Sequence, residues 1–270
     1  MLPIFKKIDN FLSNKDFIAL NSEIRSLYSK GLSFEHSTDI ENQKSVISLN
    51  KLPKNILTPI SLIGGSKGKN LIRDLTGWKG KIISLIELKD FGGYAPFHCM
   101  RRGGFLGSHI DHTFADKGKL IHIGNCIFYS VDDWKKNWGG ETCFYNNWGF
   151  RVLKKIKPKK NRLLAFVHDC ESFHGVNFLK CPSEIMRTTI YMDYYIRYDD
   201  LIDFQASFKN KNNQKFKHFN CLTTFIPFGQ NGNFIKSILS VHFLGYLKIY
   251  LRYLYLKICN CIYWKQGDLK

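Results

Sequence analysis

The chain has 270 residues, 44% of them hydrophobic and 15% aromatic, so it can build a packed core and is not broadly disordered. Its net charge of +18 predicts attraction to anionic partners of any class, although an AT-rich genome that favours lysine codons would give the same bias. The eight cysteines include no Cys-X-X-Cys pair, which argues against a structural zinc site. No secretory signal opens the chain and no apolar run is long enough to span a bilayer, so we expect a cytoplasmic location.

Residues 1–30 predict a short strand followed by a helix. Ser13 is the expected N-cap, and Asp16 stands three positions later as in a weak capping box. Apolar residues then recur at helical spacing: Phe17, Leu20, Ile24 and Leu27. Residues 31–80 show no clear period, and the sequence predicts irregular structure there.

From about residue 82 the pattern changes to short strands separated by glycine and proline turns. The predicted strands are 81–89, 96–102, 120–130, 141–146, 162–167 and 186–197. The last run alternates, with one face formed by Met186, Thr188, Ile190, Met192, Tyr194 and Ile196. Many short strands with such turns predict a sandwich or jelly roll.

The C-terminal quarter, residues 201–270, has a different pattern. Residues 201–233 predict a loop-rich polar connection, and residues 234–264 predict an amphipathic helix with a leucine stripe beside a stripe of Tyr246, Tyr250 and Tyr253. We therefore divide the chain into a main domain, 1–200, and a basic linker with a helical extension, 201–270. This helix either packs on the domain's own core or forms a dimer contact. Alternatively, residues 234–264 make a peripheral membrane contact, with the tyrosines at the membrane interface.

A metal-ligand pattern lies in the segment Gly103–His112. Residues two apart on an extended segment point the same way, so His109 and Asp111 can reach one ion. A histidine from a distant strand would complete a facial triad, which suits Fe(II) and leaves positions for a co-substrate and O₂. His174 is the expected third ligand; His168 competes, but its surroundings predict a loop.

Three other histidines are interpreted as structural. His112 should point away from Asp111, as a surface residue or one that supports a ligand. His98 and His122 are expected to be ordinary strand residues.

Arg187 opens the mostly apolar last strand, and a buried arginine needs an anionic partner. The C5 carboxylate of 2-oxoglutarate would provide one through a bidentate contact. Thr189, two residues later on the same face, could add a hydroxyl hydrogen bond.

Taken together, these motifs resemble the 2-oxoglutarate/Fe(II) dioxygenases, nearest the prolyl-4-hydroxylase-like branch. The resemblance covers roughly residues 90–197, and it is carried by Gly104-Phe105-Leu106 before His109-Ile110-Asp111, Tyr129–Trp134, Gly139-Gly140-Glu141-Thr142, Pro158–Leu163, His174-Gly175-Val176 and Arg187-Thr188-Thr189.

The resemblance implies a mainly β fold with flanking helices, a double-stranded β-helix (a cupin-like jelly roll). It implies Fe(II) on His109, Asp111 and His174, with 2-oxoglutarate and O₂ as co-substrates and ascorbate as an additional candidate. The implied reaction hydroxylates a C–H bond and releases succinate and CO₂, with no catalytic residue beyond the metal centre. Tyr129 and Asn125 are further candidates for binding 2-oxoglutarate.

The substrate stays open among a peptidyl residue, a small molecule and an envelope glycan or lipid. The charge suggests a nucleic-acid demethylase of the same chemistry, but such enzymes usually carry a second arginine soon after the first, and only Arg197 follows Arg187 on the strand. Nucleic acid is therefore the less favoured partner. A non-catalytic jelly roll that binds glycans or lipids is the remaining alternative. The seven basic residues of 151–162 form either a solvated hairpin or an anion-facing lip near the site.

Overall fold

A computed structural model describes residues 2–29, 34–36, 41–47, 57–88, 96–227, 239 and 242–266, with the backbone alone at 28–29, 34–36, 41–43, 57–58 and 261–266. The strands in this part of the chain are β1 (Phe5–Asp9), β2 (Phe34–His36), β3 (Glu41–Ile47), β4 (Ile83–Ser84), β5 (Phe97–Ile110), β6 (Phe114–Ala115), β7 (Leu120–Tyr129), β8 (Thr142–Tyr145), β9 (Val152–Ile156), β10 (Arg162–Val167), β11 (His174–Val176), β12 (Arg187–Arg197) and β13 (Thr224–Phe225). The helices are α1 (Asn14–Ser29), α2 (Leu57–Gly64), α3 (Ser66–Thr76), α4 (Leu201–Asn212) and α5 (Phe243–Gln266).

The strands follow one antiparallel order, β1-β10-β7-β12-β5-β11-β8-β9. β8 and β10 are far apart in that order, yet the rings of Phe144 and Phe166 lie 5.1 Å apart, centroid to centroid. The half β5-β11-β8-β9 therefore folds over the half β1-β10-β7-β12. This arrangement is the predicted double-stranded β-helix, with the cavity between its two halves.

The last long strand, β12, shows why the sheet has an apolar side and a functional side. Its even-numbered residues Ile190, Met192, Tyr194 and Ile196 are fully buried in the main core. Arg187, Thr189, Tyr191 and Asp193 alternate with them and line the cavity instead. The predicted alternation is confirmed, and it determines which residues reach the site.

α1 packs on the main core through the predicted stripe. Ser13 caps the helix, since its Oγ accepts the backbone N–H of Asp16 at 3.1 Å. Phe17, Leu20, Ile24 and Leu27 are all buried. Fully burying a side chain of this size stabilises a fold by roughly 1.5–3 kcal/mol, so the stripe anchors the helix on the sheet.

Two sequence predictions are wrong in part. Within 31–80, which was expected to be irregular, the described residues form β2, β3, α2 and α3. The polar connection 201–233 begins with α4, because Phe204 and Phe208, four residues apart, are buried against Trp78 and Phe216. In both segments lysine, glycine and asparagine hide a short apolar stripe, and packing on the core decides the structure.

α5 confirms the expected C-terminal helix from Phe243 onward; residues 234–238 lie outside the described residues. Its tyrosine stripe faces the protein, with Tyr250 and Tyr253 buried, so the expectation of these tyrosines at a membrane interface is wrong. Its exposed side chains include Leu244, Leu251, Tyr255 and Ile258. The boundary at residue 200 stays a prediction. No described helix is both long and apolar enough to cross a bilayer.

Candidate metal centre

Three side chains with metal-binding atoms converge where β5 meets β11. His109 and His174 are opposite each other in the antiparallel pair, and Asp111 follows His109 by two residues. Asp111 Oδ1 lies 3.4 Å from His109 Nε2, and Asp111 Oδ2 lies 3.4 Å from His174 Nε2. The ligand atoms of all three residues fall within 4.8 Å of one another. The chain thus brings together the three residues that the sequence pattern predicted.

Backbone carbonyls orient both imidazoles. His109 Nδ1 lies 2.8 Å from the Gly107 carbonyl oxygen, and His174 Nδ1 lies 3.1 Å from that of Ser172. A carbonyl only accepts, so each Nδ1 carries the proton and each Nε2 keeps a lone pair for a metal. Asn125 supports the third ligand by donating an Nδ2–H to Asp111 Oδ2 at 3.3 Å.

The charges of the three residues are complementary. Burial would raise the pKa of Asp111, but His174 and His109 outweigh burial and hold that pKa well below its usual value. Burial disfavours charge on His174, yet the charge of Asp111 and its hydrogen bond raise the His174 pKa above its usual value. Asp111 is therefore an anion at neutral pH and favours a cation beside it.

The donor set fits a non-haem iron. Two imidazoles and one carboxylate, all on one side of the ion, form the facial triad of Fe(II) oxygenases, and the other coordination positions stay open. All three residues line a cavity of about 350 Å³ between the two halves of the jelly roll. That volume lies within the range of roughly 300–1,000 Å³ for small-molecule sites.

Arg187 lines the same cavity and is almost fully buried. Its Nε donates to the Gly140 carbonyl at 2.7 Å and one Nη donates to the Thr142 hydroxyl at 3.2 Å, while its guanidinium lies 5.4 Å from the Tyr129 ring centroid. Burial lowers the pKa of Arg187. Among the described residues no carboxylate pairs with it, so its charge is available for an anionic ligand.

The Gly139-Gly140 turn into β8 positions that arginine. Both glycines have positive φ, 69° and 71°, where residues with side chains are strained. A Cβ at Gly140 would also lie 3.1 Å from Arg187 Cδ. The motif that predicts a turn therefore also aims a carbonyl at the buried guanidinium.

The other predicted co-substrate residues surround the same cavity. Thr189 and Asn125 line it. Tyr129 is fully buried beside Arg187, with its hydroxyl 2.6 Å from that of Thr142, and it is not among the described residues that line the cavity. Tyr129 therefore contacts Arg187 and is not placed to contact a ligand in the cavity.

Four other histidines lie close to the centre but do not join it. His168 is fully buried and stacked on His122, with ring centroids 4.0 Å apart, so the geometry brings His174 and not His168 to Asp111. His112 is not a surface residue, since it lines the cavity and its Nε2 lies 3.0 Å from the Tyr195 hydroxyl. His98 also lines the cavity, against Tyr191, and is more than an ordinary strand residue.

The sequence interpretation missed several cavity residues. Tyr191 and Asp193 continue the alternation from Arg187, so the period of β12 could have located them. Burial raises the pKa of Asp193 to about 7, and the charge of Asp111 adds to this effect. Phe225 stacks on His109 with ring centroids 4.8 Å apart, and Lys44 lines the cavity from β3. No local sequence signal marks the last two.

The basic run 151–162 has a structural role at its C-terminal end. Lys159 and Arg162 pair with Asp9 of β1 at 2.7 and 2.6 Å. Among the described residues, none of the seven cations lines the cavity of the triad. The anion-facing lip therefore gains no support from this cavity. A hairpin over 151–162 is wrong in part, because β9 pairs with β8 whereas Arg162 begins β10, which pairs with β1 and β7.

The fold and site define a class, a jelly roll with a two-histidine, one-carboxylate centre open to a cavity. Comparisons agree with that class. Residues 95–194 match the model of the 2OG-Fe(II) oxygenase superfamily. A prolyl hydroxylase from Trichoplax adhaerens, solved with a peptide of hypoxia inducible factor, is similar at 22% identity and a TM-score of 0.53, over 72% of this chain and 84% of that one. A Pseudomonas putida prolyl-4-hydroxylase is similar at 15% identity and a TM-score of 0.51, over 72% and 93%. No curated protein matches the chain.

Residues 95–194 are thus similar to the 2OG-Fe(II) oxygenase superfamily, and the two prolyl hydroxylases share the fold of this chain. The family implies Fe(II), 2-oxoglutarate and O₂ as the reacting partners of such a site.

Proposed function

We propose that the protein is an Fe(II)- and 2-oxoglutarate-dependent dioxygenase that hydroxylates a C–H bond of its substrate and releases succinate and CO₂. One observation carries the proposal: the triad and a buried arginine that has no carboxylate partner among the described residues line a single cavity. A metal at one set of residues and an anion at the other is the arrangement that a dicarboxylate co-substrate requires.

The triad would hold the iron through the two Nε2 atoms and the Asp111 carboxylate. The bound iron and 2-oxoglutarate supply the oxidising chemistry, with O₂ as the source of the new hydroxyl oxygen. The protein supplies orientation: the carbonyls of Gly107 and Ser172 keep the imidazoles in place, and Asn125 steadies the carboxylate. The cavity walls bury most of both imidazoles, whereas the Asp111 side chain is one-quarter exposed.

Arg187 would bind the far carboxylate of 2-oxoglutarate. Gly140 and Thr142 hold the guanidinium in one orientation before the ligand arrives, which lowers the entropy cost of binding. Further N–H groups of the guanidinium are available for a carboxylate, and the Thr189 hydroxyl on the same face could add a hydrogen bond.

The substrate classes can be ordered for testing. The two solved structures described above are prolyl hydroxylases by name, so a peptidyl proline is the first class to test. Small molecules and envelope glycans or lipids follow. Besides the triad and Arg187, the cavity presents Lys44, His98, Tyr191 and Asp193, which favours a substrate with polar groups near the reacting carbon.

The test is succinate formation from 2-oxoglutarate by the purified protein with Fe(II), O₂ and ascorbate, across proline peptides and the other classes. Losing a charge-assisted hydrogen bond costs about 1.5–3 kcal/mol, so Arg187→Leu should raise the KM for 2-oxoglutarate by about 10- to 150-fold. Arg187→Lys should restore part of that loss. Arg197→Leu, an exposed position on the same strand, is the matched control and should stay within about twofold of the wild type. An unchanged KM in Arg187→Leu would remove Arg187 from the co-substrate site.

A further inference from the structure

The loop that presents His174 is held from outside the jelly roll by the C-terminal helix. This loop, Asp169–Phe173, joins β10 to β11 and ends at the ligand. Tyr253 of α5 is almost fully buried, and its hydroxyl donates to the Cys170 carbonyl at 2.8 Å. Its ring meets that of Phe173 edge to face, with centroids 5.7 Å apart.

Lys257, one helical turn further on, is buried to 97% even though it is a lysine. Its Nζ lies 3.2 Å from Glu171 Oε1, donates to the Asn147 carbonyl, and lies 4.2 Å from the centroid of the Trp148 ring. Lys217 binds the other oxygen of Glu171 at 2.6 Å. Removing an ammonium from water costs several kcal/mol unless its partners are well placed. The partners of Lys257 are therefore placed to hold its charge inside the protein.

The same helix also reaches the support of His109. The Phe225 ring stacks on His109, and the Tyr246 ring of α5 lies 6.0 Å from that of Phe225. Ile226, next in the chain, donates its N–H to the Ser108 carbonyl at 3.0 Å. α5 thus contacts the surroundings of both imidazole ligands.

We propose that Lys257 is a positioning residue of the metal centre: through Glu171 it holds the loop 169–173, and through that loop it holds His174 at Asp111. Tyr253 acts on the same loop through Cys170. The inference rests on the proposed function only in that the triad binds a divalent metal. The C-terminal helix α5 would thus help to hold the metal ligands in place. Groups that orient metal ligands are typically worth about 10- to 100-fold in metal affinity.

The experiment titrates the full-length protein with Co(II) alone and follows the visible ligand-field bands. Lys257→Met should weaken Co(II) binding by about 10- to 100-fold. Lys257→Arg, which keeps the charge, should recover most of the affinity. Lys248→Met changes an exposed lysine of the same helix and should bind as the wild type does.

Two further variants keep the proposal testable where Lys257→Met does not fold. Glu171→Gln and Tyr253→Phe change the same link with smaller side-chain losses, and each should weaken Co(II) binding. The double variant Lys257→Met/Glu171→Gln should lose less Co(II)-binding free energy than the two single variants lose in sum, because both substitutions break the same ion pair. Wild-type affinity in the folded single variants would overturn the positioning role. Wild-type protein that binds Co(II) no better than His174→Ala would overturn the triad itself, and the positioning role with it.

Discussion

At the scale of single residues, the absence of a side chain at Gly175 determines how close the two histidine ligands lie. A Cβ at this position would lie 2.6 Å from the Leu106 carbonyl oxygen and 2.7 Å from that of Gly107. Real Cβ atoms do not approach carbonyl oxygens so closely, so β11 can lie against β5 only with glycine here. That contact places His174 opposite His109.

Gly175→Ala should therefore separate the strands and weaken metal binding by about tenfold or more, because the ligands lose their mutual placement. Anaerobic Fe(II) titration would measure it. Gly245→Ala is the control, since a Cβ at that helical position meets nothing within 4 Å. Equal Fe(II) affinity in the wild type and Gly175→Ala would show that the close strand contact is unimportant for the site.

At the scale of elements, β1 is held to the C-terminal end of the basic run, where β10 begins. Asp9 accepts hydrogen bonds from Arg162 and Lys159, and these two side chains hold the pKa of Asp9 well below its usual value. A depressed folded-state pKa means stability that is fully present above the unfolded pKa of about 3.9 and is lost as the pH falls through the folded-state pKa.

Asp9→Asn should lower the melting temperature at pH 7, and its difference from the wild type should shrink as the pH falls below about 4. The carboxylate is about one-third exposed, so the effect should stay below about 1 kcal/mol. Thermal unfolding followed by circular dichroism would measure it. Asp133→Asn, whose carboxylate is 87% exposed beside Lys160, should change little at either pH. The same destabilisation at pH 7 and pH 3 would show that Asp9 does not act through its charge.

The elements that the sequence predicted correctly are those with a strong local pattern. The alternation of 186–197 predicted β12 and its apolar face, and the spacing of His109, Asp111, His174 and Arg187 predicted residues that the structure brings together. β3 and β13 carry no such pattern, because their strand structure depends on pairing with β5. Lys44 and Phe225, which these strands bring to the site, could not be predicted for that reason.

At the scale of the whole molecule, a net charge of +18 accompanies an exposed outer face on α5. Leu244, Leu251, Tyr255 and Ile258 are exposed on that helix, and Lys248 and Arg252 are exposed beside them. We propose that this face makes a peripheral contact with an acidic membrane. Its apolar side chains would be buried in the lipid, and its basic residues would be attracted to the anionic headgroups.

The protein should co-sediment with vesicles that contain anionic lipid, and binding should fall as salt rises. Replacing Leu251 and Ile258 with serine should weaken binding by about tenfold or more, because less apolar surface is buried in the lipid. Ile202→Ser, at a position 79% exposed on α4, is the control and should not change binding. Equal binding to neutral and anionic vesicles, or none to either, would contradict the proposed contact.

The central claim, that the triad and Arg187 form one site for iron and 2-oxoglutarate, is tested most directly by visible absorbance. Purified protein would be titrated anaerobically with Fe(II) and then with 2-oxoglutarate. We predict a metal-to-ligand charge-transfer band in the wild type, no band in His174→Ala, and a band in Arg187→Leu only at much higher 2-oxoglutarate. Wild-type protein that binds iron but shows no band at any 2-oxoglutarate concentration would contradict the claim.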